Sequence, residues 1–136
     1  MNKKIIGVVF VVIIIILAFL MLANSNTTDQ KILKQTFVID AVYFENDGSV
    51  EVSFRDKSNK TNHVTLEILG MPESFHKEYG SSSFVEKIIL TSAPKYGWQS
   101  IPVTLLVEHE EFGKIGIKTE IRPVGENHAT IIFSKL

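Results

Sequence analysis

Seven residues carry side chains that can ligate a divalent cation and fall near turns: Glu45, Asp47, His76, Glu108, His109, Glu110 and Glu111. Carboxylates mixed with imidazoles suit borderline or hard divalent ions. Asp47, His76, His109 and Glu111 are the candidate ligands. Their spacing follows no metal motif. His109-Glu110-Glu111-Phe112-Gly113 lacks the second histidine of HExxH. On a strand end, Val107-Glu108-His109-Glu110-Glu111 would send alternate side chains to opposite faces. The expectation is ordinary solvated loop surface, with no metal and no other cofactor. A cation- or small-ligand-binding module built from these loops is the alternative.

Ser92-Ala93-Pro94-Lys95 fits the S-x-x-K spacing of penicillin-recognising enzymes. Pro94 interrupts the helix that this motif opens, and no S-D-N or K-T-G partner exists. Ser83 with Lys87 is a looser serine–lysine pair that would suit an anchored protease. The domain is small for a substrate cleft, so an anchored hydrolase is the remote alternative and no enzyme is expected. The chain has no cysteine. Disulfides, thiolate nucleophiles, zinc ribbons and iron–sulfur ligation are excluded.

Two features point to partners or modification. Phe75 and Tyr79 lie four residues apart in an insertion, residues 70–83, that reads as one or two helical turns between Pro72 and Gly80. They are candidate partner contacts or a cap on the core. Asn26-Thr27-Thr28 and Asn59-Lys60-Thr61 are glycosylation sequons, and Asn59, in an expected turn, is the better acceptor.

These residues are presented by a strongly divided chain. Residues Ile5 to Ala23, through Ile13 and Phe19, are 19 positions without a polar or charged side chain. As a helix they would rise roughly 28 Å, close to the roughly 30 Å hydrocarbon thickness of a bilayer. A secretory signal has a shorter apolar region, although Ala23-Asn24-Ser25 resembles a cleavage site. A retained signal-anchor is expected. Lys3 and Lys4 precede it, and no charge follows until Asp29, which favours an inside N-terminus. The expected organisation is a cytoplasmic tail at 1–4, a transmembrane anchor at 5–23, a polar tether at 24–35 and an extracytoplasmic domain at 36–136 of the cell membrane.

Beyond the anchor lie 12 basic against 15 acidic residues, a net charge of about −3. A nucleic-acid surface would be basic. From Phe37 onward the pattern has period 2. Phe37–Phe44 is apolar on nearly both faces. Asp47-Gly48 is a tight-turn signal. Alternating runs follow around Val50–Phe54, Val64–Ile68, Phe84–Leu90, Ile101–Val107, Ile115–Ile121 and Ile131–Phe133. Seven short strands with regular turns predict an all-β antiparallel sandwich of immunoglobulin or fibronectin-III type.

If every strand reverses the last, the loops sort by parity. Those around Asp47, His76 and His109–Glu111 would share the end away from the membrane. Those around Asn59, Trp98 and Glu126 would share the near end, where Trp98 plugs the core or meets the interface.

In layout alone, one N-terminal helix ahead of a β-sandwich, the chain is similar to archaellum stator proteins, which grip the surface layer. One anchor, one sandwich and no catalytic constellation point to an accessory subunit of a larger envelope or membrane complex. The functional expectation is a single-pass membrane protein displaying a β-sandwich for contact with a protein partner.

Overall fold

The computed structural model describes residues 3–71, 73–90 and 101–136. The chain forms two compact units, one ending at Gln35 and the other spanning Thr36–Leu136.

The first unit is a single helix, α1 (Lys3–Thr36). Its window Ile5–Leu22 is long and apolar enough to cross a membrane. Ile5, Ile13 and Phe19 are about half exposed or more, and none of that window is covered by protein. A helix that is apolar all round and uncovered fits a lipid environment rather than a protein core. The stretch read as a polar tether, 24–35, continues the helix. It contains neither Gly nor Pro to stop it. Lys34 in the last turn complements the carbonyl end of the helix dipole.

The second unit is nine strands among the described residues: β1 (Phe37–Phe44), β2 (Ser49–Asp56), β3 (Thr61–Ile68), β4 (Phe75–Tyr79), β5 (Ser83–Ile89), β6 (Pro102–His109), β7 (Gly113–Glu120), β8 (Arg122–Pro123) and β9 (Ile132–Lys135). They form a four-stranded sheet, β5-β2-β1-β8, and a five-stranded sheet, β4-β3-β6-β7-β9. All pairings are antiparallel except β1 with β8, which is parallel.

Alternation decides which face is buried. Phe37, Ile39 and Ala41 of β1 and Val50, Val52 and Phe54 of β2 are buried, while Val38 and Arg55 are exposed. In the second sheet Val64, Leu66 and Ile68 face Val103, Leu105 and Val107 in the β3–β6 register. The two inner faces meet: the Phe37 ring lies 6.3 Å from that of Phe133 in β9.

Two strands exceed the seven expected. One is β8, too short for its alternation to be seen. The other is β4, where Phe75–Tyr79 is strand and not the helical turn expected. Spacing of i, i+4 keeps two residues on one face of a helix and also on one face of a strand. Here Phe75, Lys77 and Tyr79 oppose the buried Ile68, Leu66 and Val64. The reversal before β4 uses Gly70, at φ 90°, where an L side chain would be strained. Pro72 lies outside the described residues.

The extra strand also overturns the sorting of loops. Asp47 is at the end of the sheets where β1 finishes, and His76 pairs near that end, with Glu67. His109 pairs with Thr61 and Gly113, so His109, Glu110 and Glu111 lie at the opposite end, where β1 starts, with Asn59.

Candidate functional site

The most tightly built polar cluster sits at that second end, where β2 stops. Asp56 is its centre and its side chain is fully buried. Its Oδ1 accepts from the Ser58 amide (2.8 Å) and the Ser58 hydroxyl (2.6 Å). Its Oδ2 accepts from the Lys60 amide (2.9 Å) and the Thr61 hydroxyl (2.8 Å). This is an aspartate folding the following backbone around its own carboxylate. Asn59, at φ 55°, provides the left-handed residue the turn needs.

The His109 side chain, also fully buried, arrives from the end of β6. Its Nε2 lies 3.0 Å from Ser58 Oγ and 3.3 Å from Asp56 Oδ2. A serine, a histidine and an aspartate therefore touch. The hydrogen bonds fix what they can do. His109 Nδ1 accepts from the amides of Glu111 (3.1 Å) and Phe112 (3.2 Å). Nδ1 is therefore unprotonated and Nε2 carries the proton, as the network requires. The imidazole donates toward Ser58 and Asp56, and the serine proton goes to Asp56. A catalytic triad needs the reverse, with Nδ1 donating to the aspartate and Nε2 accepting from the serine. The trio is arranged as a structural knot. Burial opposes charge on Asp56, but the hydrogen bonds from Ser58, Thr61 and Lys60 outweigh it and hold its carboxyl below the usual range.

A second cluster joins the edges of the two sheets. Tyr79 of β4 donates to Glu86 Oε2 of β5 at 2.6 Å, and Lys77 donates to the same oxygen at 2.9 Å. The Tyr79 ring stacks on Phe84 at 3.8 Å. The Tyr79 hydrogen bond pulls the Glu86 carboxyl down, against desolvation and with help from Lys77. Burial, then the Glu86 bond and charge, push the Tyr79 phenol up. Tyr79, a candidate partner contact, thus has its hydroxyl and one ring face engaged within the domain. Phe75 is half-buried.

A third cluster pins β8 to β1. Arg122 grips Asp40 with both arms, Nε to Oδ1 at 2.9 Å and Nη2 to Oδ2 at 2.7 Å. Its Nη1 donates to the Glu126 carbonyl at 2.7 Å. His128 Nδ1 lies 3.4 Å from Asp40 Oδ2. Arg122→Lys keeps the charge and loses the fork. It is expected to lower stability by about 1–2 kcal/mol and to expose to hydrogen exchange the Val124 amide, which donates to the Tyr43 carbonyl. Equal exchange in both proteins would show that β8 is held by something else.

The candidate cation ligands are not brought together. Asp47 pairs with Lys87 at 3.3 Å at one end. His76 meets Glu67 at 3.0 Å on an exposed face. Glu111 pairs with Lys60 at 3.1 Å at the other end, and His109 is enclosed in the knot. Among the described residues no group of three or more such side chains could hold a metal ion. Ser83 and Lys87 both lie on β5, whose outward face they share with Val85. Asn59 is exposed, while Thr61 of its sequon is buried against Asp56. Ser92, Lys95 and Trp98 lie outside the described residues.

Sequence reasoning did not single out Asp56 and Ser58. The spacing Asp56-x-Ser58-x-Lys60-Thr61 was the available signal, an Asx-type turn closing a strand. The partnership with His109 joins residues 53 positions apart and has no local signature. No family model, no curated protein and no solved structure matches the chain.

Proposed function

We propose that this protein is a single-pass membrane protein whose β-domain is displayed outside the cell membrane for contact with a protein partner, as an accessory subunit of a larger assembly. The observation that carries the reading is an uncovered apolar helix, Ile5–Leu22, in a chain whose polar clusters are committed to holding strands. Lys3 and Lys4 on one flank favour an inside N-terminus.

The domain itself reads as immunoglobulin-like. In the constant-type immunoglobulin fold, strands A, B, E and D share one sheet and C, F and G the other. Here β1, β2 and β5 take the places of A, B and E, and β3, β6 and β7 those of C, F and G. The fourth strand, β4, joins β3 instead of the first sheet, which is the fibronectin-III-like arrangement. Domains of this architecture are common at cell surfaces, where they serve as interaction modules.

The test is co-purification of the full-length protein from its native membrane after brief crosslinking, with mass spectrometry of what accompanies it. A stoichiometric partner and an intact Ile5–Ala23 segment are expected. A protein recovered alone, or without that segment, overturns the reading.

A further inference from the structure

Among the described residues four edges close the two sheets: β5 and β8 on one, β4 and β9 on the other. Natural proteins shield such edges with shortness, charge or proline. Here β8 has two residues, one of them Pro123, and β9 has four with Lys135 last. The five-residue β4 carries His76, Lys77 and Glu78 in succession. The seven-residue β5 is different. Val85 and Ile89 are 66% and 76% exposed, with Lys87 alone between them.

The backbone of β5 alternates in a definite sense. The Asp56 amide donates to the Ser82 carbonyl, and the Leu90 amide to the Gly48 carbonyl. In an antiparallel ladder the hydrogen-bonded residues then run Ser82, Phe84, Glu86, Ile88 and Leu90 toward β2. The amides and carbonyls of Val85, Lys87 and Ile89 point to the open side. Those of Ser83 are already bonded to the Ser81 hydroxyl. Beside this edge a shallow depression of about 500 Å³ is lined by Val38, Phe84 and Val85, with Arg55 at its side.

We propose that the open edge of β5, from Val85 to Ile89, takes up an extended strand of a partner protein that places an acidic residue opposite Lys87 between two apolar residues. The proposal rests on the interaction reading above and names its surface. Main-chain bonds would give affinity, and alternate side chains specificity. Arg55 and Lys87 share that face with Glu51, which lies across from Lys87 on the β2 side, and with Asp47, so the complementarity is local: on the open side Lys87 is the central side chain, and a carboxylate opposite it pairs directly. The Lys87–Asp47 pair is exposed at both ends and can exchange partners at little cost.

A second copy of the chain fits less well. Two-fold pairing centred on Lys87 sets Lys87 against Lys87, and centring on Glu86 sets Glu86 against Glu86. Centring on Ile88 sets Lys87 against Ile89 and carries Val85 past the end of the facing strand, and centring on Val85 leaves Ile89 uncovered.

The test uses the full chain in detergent micelles and a capped, fluorescein-labelled peptide, Thr-Val-Thr-Glu-Thr-Val-Thr, beside the same peptide with lysine at its centre. Anisotropy should show saturable binding that favours the glutamate peptide. Val85→Pro removes an amide that faces outward, so the ladder to β2 stays whole. It should weaken binding about tenfold. Lys87→Glu, at an exposed site, should reverse the preference between the peptides and carries the test if Val85→Pro unfolds.

Equal binding of both peptides, or no binding, overturns the proposal. So does a dimer of the chain that Val85→Pro abolishes, which would assign the edge to a second copy. If a crosslinked membrane partner is retained by a folded Val85→Pro or by Lys87→Glu, this edge falls and the accessory-subunit reading stands. If edge-dependent peptide binding holds and no membrane partner is found, the edge chemistry stands and that reading falls.

Discussion

Asp56→Ala is expected to destabilise the β-domain by about 3–5 kcal/mol, a large part of the roughly 5–15 kcal/mol that holds a domain folded. The carboxylate accepts from two backbone amides and two hydroxyls, with the His109 imidazole beside it, and water does not reach its side chain. Removing it leaves buried donors without acceptors, each costing about 1–3 kcal/mol. Asp56→Asn keeps the shape and should cost less, because one oxygen still accepts. Urea unfolding of the full chain in detergent reads the difference. A loss under about 1 kcal/mol, typical of a surface change, would show that the knot is not what closes this end.

The same residue sets an acid limit. Its folded carboxyl titrates below the unfolded value of about 3.9. Its stabilisation is therefore complete above that value and is lost as pH falls through the folded one, where the unfolded chain has already taken up its proton. Asp40 and Glu86, also lowered, act in the same direction. Stability measured from pH 5 downward should fall less steeply in Asp56→Asn than in the parent.

Much of this architecture is legible in the sequence, because burial in a half-exposed sheet has period 2 and the chain obeys it. Val50, Val52 and Phe54 alternate with Glu51, Ser53 and Arg55, and the core follows. The apolar helix is legible for a simpler reason: 19 unbroken apolar positions are long enough, as a helix, to cross a bilayer. What failed is what periodicity does not encode. Phe75 and Tyr79 satisfy both periods, so helix and strand could not be separated there, and that one strand reversed the placement of the His109–Glu111 loop. His109 was read as one of a set of exposed ligands. Its role follows from the β3–β6 register, which brings it to Thr61, and register is a long-range property that a single sequence does not carry.

Phe37→Ala is the second change with a large expected effect, about 3–5 kcal/mol. Phe37 is the first residue of β1 and follows Thr36, the last of α1, without an intervening loop. Its ring is buried among aromatic side chains from both sheets: Phe54 at 6.0 Å, Phe133 at 6.3 Å, Phe112 at 6.3 Å and the His109 imidazole at 5.5 Å. Truncation opens a cavity walled by rings that pack against one another and cannot easily collapse into it. Phe37→Leu, nearer in volume, should cost substantially less.

The contact with His109 makes a sharper prediction. That imidazole meets Phe37 edge-on while its Nε2 faces Ser58 and Asp56. Phe37 thus helps hold the ring that completes the polar knot. A double-mutant cycle between Phe37→Leu and Asp56→Asn should therefore show an interaction of about 0.5 kcal/mol or more, since residues sharing a partner do not add. Strict additivity would mean that the aromatic core and the knot close this end independently. Coupling would mean that the chain leaving the helix enters the domain through one cooperative unit.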